Sequence, residues 1–268
     1  MRETYEGKVA VVTGAADGMG LGLCRRLAEL GAYVVMGDIN GEKLNAEAAR
    51  INQEHPGHAL ARVTDVTKKD QIRGLIRKAV EWKGFVHFLF NNAGMGGTLP
   101  VDQLELEDWR SLFELNFWSV LQGIYSVLPL MRMQGGGHIV NTSSIAGIVP
   151  LPYQEAYCAT KYAVSALGQC LRYELWDENI RFSTVCPGNV ATSIFGDGAS
   201  IPEDAVSVEE AVETILEGVG RNENLIVFPQ SARDLWEELS RRPQEQERIL
   251  LDLARTRKEN YHTKGRYY

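Results

Sequence analysis

Val9-Ala10-Val11-Val12-Thr13-Gly14-Ala15-Ala16-Asp17-Gly18-Met19-Gly20 is an apolar run that ends in a glycine-rich turn. The run reads as a strand buried on both faces, and the turn feeds a helical pattern. The same alternation continues along the chain. Apolar runs at 8–13, 33–37, 60–64, 86–90, 137–142, 180–186 and 225–228 predict strands, with helical periodicity at 18–30, 42–52, 68–82, 107–134, 153–177 and 208–220. Buried strands separated by helices imply an α/β fold, a doubly wound parallel sheet of about seven strands. No repeat or Gly/Pro-rich linker divides the 268 residues, so residues 1–230 are expected to form one catalytic domain.

Residues 231–268 read differently. Arg241 to Tyr268 hold eight Arg/Lys and four Asp/Glu, in a chain of net charge −7. Leu235 and Leu239 share a helix face, as do Ile249, Leu250 and Leu253. The expectation is a C-terminal helical extension packed on the domain or on another subunit, not an independent domain. A lid, or a contact with an acidic partner or membrane surface, stays open.

The acidic balance argues against nucleic-acid binding. Cys24, Cys158, Cys170 and Cys186 lack C-x-x-C spacing and read as small buried hydrophobes. His55, His58, His87, His138 and His262 lack metal-ligand spacing, so no metal is expected. Trp109, Phe113 and Phe117 suit the buried face of a long helix. The N-terminal residues have no apolar signal-peptide core, and no run approaches the ~20 residues of a membrane span. A cytoplasmic location is expected.

A strand, a glycine-rich turn and a helix place backbone N–H groups where a pyrophosphate can sit. Gly14 permits the turn, while Gly18 and Gly20 allow close backbone approach. Asp38 ends the second strand, 18 residues after Gly20, where a carboxylate accepts hydrogen bonds from adenosine ribose hydroxyls. It would repel a 2′-phosphate, and no Arg or Lys stands beside it in Gly37-Asp38-Ile39-Asn40. With the acidic Asp17, this predicts NAD over NADP. Asp65-Val66 follows the third strand, where a carboxylate suits an adenine amino group, and Asn91-Asn92-Ala93-Gly94 follows the fourth. Asp38 also reads as a strand-end turn residue, and 91–94 as a tie between sheet edge and turn.

Tyr157 and Lys161 lie four residues apart, on one helix face, and Ser144 ends the fifth strand. A free tyrosine titrates at ~10, and a neighbouring ammonium lowers that value toward useful acid–base chemistry. Lysine keeps donors for the ribose of a nicotinamide, and a serine hydroxyl steadies a reacting oxygen.

Taken together, these motifs resemble the classical short-chain dehydrogenase/reductase family over residues 7–230. The matches are T-G-x-x-x-G-x-G at 13–20, Asp65, N-N-A-G at 91–94, Asn116, Ser144, Tyr157-Cys158-Ala159-Thr160-Lys161 and Cys186-Pro187-Gly188. The resemblance implies a Rossmann-type fold, with Tyr157 as general acid/base and Lys161 lowering its pKa and binding ribose. It implies that Ser144 orients the substrate oxygen and that Asn116 holds a water relaying protons through Lys161. Gly14, Asp17, Gly18, Met19, Gly20, Asp38, Asp65, Val66, Asn92, Ala93, Gly94, Pro187 and Gly188 are expected around the cofactor, with Val190 and Thr192 at the carboxamide.

Segments 94–101, 145–156 and 189–205 are the expected pocket walls. They contain no Arg or Lys, and their charges are Glu155, Asp197, Glu203 and Asp204. An unpaired anionic substrate is costly to bury there. An uncharged, largely apolar secondary alcohol or ketone is the expected substrate, unless the basic tail supplies a cation. An isomerase, epimerase or dehydratase with tightly held NAD, or a non-catalytic nicotinamide sensor, are the alternatives. Release of free NADH separates them from a dehydrogenase. Surplus apolar residues on the 107–134 and 153–177 helices, including Trp118, Tyr125, Leu171 and Trp176, together with the family habit of pairing such helices, predict a homotetramer, then a dimer.

Overall fold

The computed structural model describes residues 1–192, 202 and 204–264. In chain order the elements are α1 (Arg2–Tyr5), β1 (Val9–Thr13), α2 (Gly18–Glu29), β2 (Tyr33–Asp38), α3 (Gly41–Glu54), β3 (Ala59–Val63), α4 (Lys69–Lys83), β4 (Phe88–Asn91), α5 (Leu106–Phe113), α6 (Ser119–Met133), β5 (Gly137–Thr142), α7 (Glu155–Glu174), β6 (Ile180–Pro187), α8 (Val208–Gly220), β7 (Leu225–Phe228), α9 (Gln230–Arg241) and α10 (Pro243–Lys264). The seven strands form one sheet in the order β3-β2-β1-β4-β5-β6-β7. Every pairing is parallel. This is the doubly wound, Rossmann-type architecture, and its strand order reverses between β1 and β4, the place where such sheets bind ligands.

Period-two side-chain alternation explains the uninterrupted apolar strands. Ala10 and Val12 of β1 pack under α2 and α8, whereas Val9 and Val11 pack under α4 and α6. Both faces are therefore core, and fully burying one valine contributes on the order of 1.5–3 kcal/mol. Tyr5 joins the first face, with its hydroxyl donating to Leu216 O at 2.7 Å. A third cluster joins Ile145, Val149 and Val227 to Ala232 and Leu239 of α9, with Ile249 and Leu250 of α10 alongside. The C-terminal helices thus cover the β7 edge and the 145–151 segment.

Three local features depart from the sequence reading. The expected helix over 107–134 is α5 and α6 joined by a π-helical turn, Glu114–Trp118. Such turns recur at functional sites, and this one contains Asn116. The helix expected from 153 starts at Glu155, because Tyr153 has φ 66°, outside the helical range. Cys24, Cys158 and Cys186 are buried, but Cys170 is exposed. Among the described residues, no helix is long and apolar enough to cross a membrane.

Candidate active site

The carboxyl ends of β1, β4 and β5 meet beside the first turn of α2. Asn92 ties them together. Its side-chain amide donates to Thr13 O at 3.2 Å, and its backbone N–H donates to Thr13 Oγ1 at 3.0 Å. Ala93 N–H adds a bond to the same hydroxyl at 3.1 Å. A methyl group on Gly20 would run into the Gly14 carbonyl and lie 2.7 Å from Asn92 Nδ2. The N–H groups of the first turn of α2 have no intrahelical acceptor, apart from that of Gly18, which donates to the N-cap Asp17. This is a junction suited to a phosphate.

Asp38 is engaged by backbone. Its Oδ2 accepts from Ala16 N–H at 3.0 Å, and its Oδ1 accepts from Asn40 N–H at 2.9 Å. These bonds brace β2 against the glycine-rich turn and leave lone pairs on both oxygens. Asp17 is paired with Lys43 at 2.9 Å, so the acidity expected of the turn is offset by a cation from the first turn of α3. Asp65 Oδ1 accepts from both Thr67 N–H and Thr67 Oγ1, at 2.9 and 2.7 Å, bonds that hold its carboxyl below the usual range. Val66, beside it, is buried.

The chemistry-bearing residues gather around a cavity of about 90 Å³ lined by Met19, Asn92, Gly94, Met95, Thr142, Ser143, Ser144, Tyr157, Lys161, Pro187, Gly188, Val190 and Thr192. Lys161 is buried, and its Nζ donates to Thr142 O at 2.9 Å and lies 5.7 Å from the Tyr157 ring centroid. Burial pushes its pKa down from 10.5 to about 8. Ser144 Oγ accepts from Ala146 N–H at 3.1 Å and donates to Pro187 O across a long 3.4 Å. A methyl on Gly94 would sit 3.0 Å from Asn116 Oδ1 and 3.4 Å from Lys161 Nζ, so a side chain here would crowd both groups. The residues present therefore fit a nicotinamide nucleotide laid from the α2 turn to Lys161.

Asn116 is fully buried and clamps Met95 at two points: Oδ1 accepts from Met95 N–H at 2.9 Å and Nδ2 donates to Met95 O at 3.0 Å. Nδ2 also reaches Thr160 Oγ1 at 3.2 Å. Val190 is placed by a bridge to Val206, with Ala191 N–H donating to Val206 O at 2.9 Å.

A second cavity, of about 170 Å³, opens on the other side of Tyr157 and Met95. Its walls include Gly97, Thr98, Leu99, Leu104, Leu112, Tyr153 and Gln154, and its charged members are Asp108 and Glu155. Among the described residues, no Arg or Lys lines it. Asp197 and Glu203 lie outside the described residues. The tail does bring a cation close: Arg257 of α10 is buried, and its Nη1 donates to Pro152 O at 2.6 Å and to Gln154 Oε1 at 3.2 Å. Arg257 and Lys43 were beyond sequence reasoning, because nothing local marks either. Met95 and Tyr153 lie within the expected wall segments, and the fold places both on the cavity. Among the described residues, no group of His, Cys, Asp or Glu is arranged to hold a metal.

The short chain dehydrogenase family profile matches residues 8–200. The 2,5-dichloro-2,5-cyclohexadiene-1,4-diol dehydrogenase LinX of Sphingobium indicum is 34% identical over 206 residues, 77% of this chain and 81% of that protein. A short-chain dehydrogenase/reductase from Burkholderia phymatum, solved in complex with NAD, superposes with TM-score 0.78 at 26% identity, covering 97% of this chain and 96% of that one. A short-chain dehydrogenase from Sphingobium yanoikuyae, solved with NADPH, superposes with TM-score 0.79 at 28% identity, covering 88% and 93%.

Proposed function

This chain belongs to the short-chain dehydrogenase/reductase family, and on that premise we propose that it is an NAD-preferring dehydrogenase of uncharged, largely apolar secondary alcohols and their ketones. The observation that carries the substrate class is the second cavity. Tyr157 lines it, its walls are mostly apolar, and among the described residues none of its lining is cationic. Charged groups in such surroundings stay only when paired. LinX, named for a diol, is consistent with a neutral alcohol.

When bound, the nicotinamide cofactor supplies or accepts the hydride at the substrate carbon. Tyr157 gives or takes the proton at the substrate oxygen. Lys161, as a cation, favours the phenolate and so eases transfer of the Tyr157 proton. Its own burial keeps that charge near the edge of its range, at about 8. The Ser144 hydroxyl, held only at 3.4 Å by Pro187 O, turns toward the substrate oxygen at little cost. Asn116 fixes Met95 between the two cavities and stands beside Lys161, where the resemblance places a proton-relaying water. The preference for NAD rests on Asp38, whose carboxylate ends β2, keeps lone pairs for ribose hydroxyls and would repel a 2′-phosphate. Lys43 tempers it by neutralising Asp17. The exposed Trp118, Tyr125, Tyr173 and Trp176 on and beside α6 and α7 support a homotetramer assembled through those helices, which light scattering would measure.

The deciding experiment compares kcat/KM with NAD for 1-phenylethanol and for mandelate, in which a carboxylate replaces the methyl group on the carbinol carbon. A preference of at least ~10-fold for the neutral alcohol is expected. A preference for mandelate would overturn the pocket reading.

A further inference from the structure

One wall of the second cavity is built in an unfavourable backbone conformation. Tyr153 has φ 66°, a region that bulky residues rarely occupy unless their surroundings impose it. The residues on either side are gripped by one guanidinium: Arg257 Nη1 donates to Pro152 O at 2.6 Å and to Gln154 Oε1 at 3.2 Å. Tyr153 O in turn accepts from Leu99 N–H at 3.0 Å, which joins the 150–154 wall to the opposite wall. Arg257 is 7% exposed, although it comes from a helix that carries no motif. Charge-assisted bonds of this kind are strong and directional.

We propose that Arg257 is a positioning residue for substrate. It holds residues 152–154 in the shape that makes Tyr153 a cavity wall, and so makes α10 part of the substrate site. Arg257 is not among the described residues that line the cavity, and its Nη1 is committed to Pro152 O and Gln154 Oε1. A guanidinium so engaged is compatible with a pocket for neutral molecules. The proposal rests on reading this cavity as the substrate site.

The test uses the full chain with Arg257→Met, which keeps bulk and removes the donors. Amide hydrogen exchange of the apo protein is the first readout. Leu99 and residues 151–157 are expected to exchange at least ~10-fold faster, while β1 and β4 do not change. Steady-state kinetics with NAD is the second. KM for 1-phenylethanol is expected to rise several-fold with kcat nearly constant, KM for 2-propanol to move little, and NADH binding followed by fluorescence to stay the same. Arg257→Gln retains one amide donor and covers a failure of Arg257→Met to fold; its exchange is expected to lie between the two. Unchanged exchange at Leu99 and 151–157 overturns the proposal. Faster exchange with an unchanged KM for 1-phenylethanol overturns it as well. A wild-type protein that oxidises neither alcohol defeats the functional reading instead, and the exchange comparison still decides whether Arg257 holds the wall.

Discussion

The two halves of the site are built by different means. The cofactor half lies at the carboxyl ends of paired strands, where Thr13, Asn92 and Ala93 cross-tie β1 and β4 within a sheet whose backbone is already committed. The substrate half is made of segments with no sheet to hold them. Leu99 bonds Tyr153, Asn116 bonds Met95, and Arg257 bonds Pro152 and Gln154 from a separate helix. One half is a property of the fold, the other a property of a few long-range contacts. On the proposed function, such a division separates residues expected to set substrate choice from those expected to hold the cofactor, and it says where mutations should act.

The largest effect is expected at the seam. Tyr157 and Met95 line both cavities, and Tyr157→Phe removes the proton while keeping the ring. Turnover should fall by at least ~10² with NADH affinity nearly intact. Near-wild-type turnover would detach Tyr157 from the chemistry and dissolve the boundary between the halves.

Lys161→Met probes the cofactor half, with opposite effects on activity and stability. Turnover should drop at least ~10-fold, because nothing then favours the phenolate. The apo fold should gain on the order of 1–3 kcal/mol at pH 7, since a buried ammonium is replaced by an apolar chain. The sign follows from proton binding. Between about 8 and 10.5 the unfolded chain keeps the lysine proton and the native chain does not, so wild-type stability rises with pH there. The variant should lack that rise in urea melts. A destabilised variant would mean that the bond to Thr142 O outweighs the burial cost.

Cofactor choice sharpens the same half. Asp38→Ala should raise the kcat/KM ratio of NADP to NAD by roughly tenfold, consistent with ~1–2 kcal/mol of lost repulsion. It should also soften the turn that Asp38 braces through Ala16 and Asn40. A wild-type preference for NADP would refute the role given to Asp38 and transfer the decision to Lys43.

The smallest effect is a control at the opposite end of the sheet. His138 is buried at the start of β5, its Nε2 paired with Ser183 Oγ at 2.9 Å, and burial lowers its pKa from 6.5 to about 3. Below pH 6.5 the unfolded chain takes up a proton that native His138 refuses, so stability falls with decreasing pH toward 3. His138→Gln should remove up to ~1.4 kcal/mol per pH unit of that slope and leave kcat at pH 7.5 within about twofold. A change in cofactor affinity would show that the sheet transmits more than the two-part description allows.

The strands were legible because both faces of the sheet are covered. Val9 to Val12 must all be apolar when alternate residues enter different cores. The glycine-rich turn and the Tyr157–Lys161 spacing were legible because each acts within a few residues of chain, and helix geometry carries i and i+4 to one face. The π turn around Asn116 is not legible in the sequence, because its residues satisfy an ordinary helical pattern.

By itself the sequence determined the sheet, and it marked the glycine-rich junction and the Tyr157–Lys161 pair on which the proposed function rests, since local periodicity and short spacings encode all three. Tertiary structure alone decided that Lys43 would neutralise Asp17, that Tyr153 would be held at positive φ, and that a guanidinium more than 100 residues away would hold it there. Those contacts join segments with no local mark in sequence. Their energy exists only once the sheet has brought the segments within hydrogen-bonding distance.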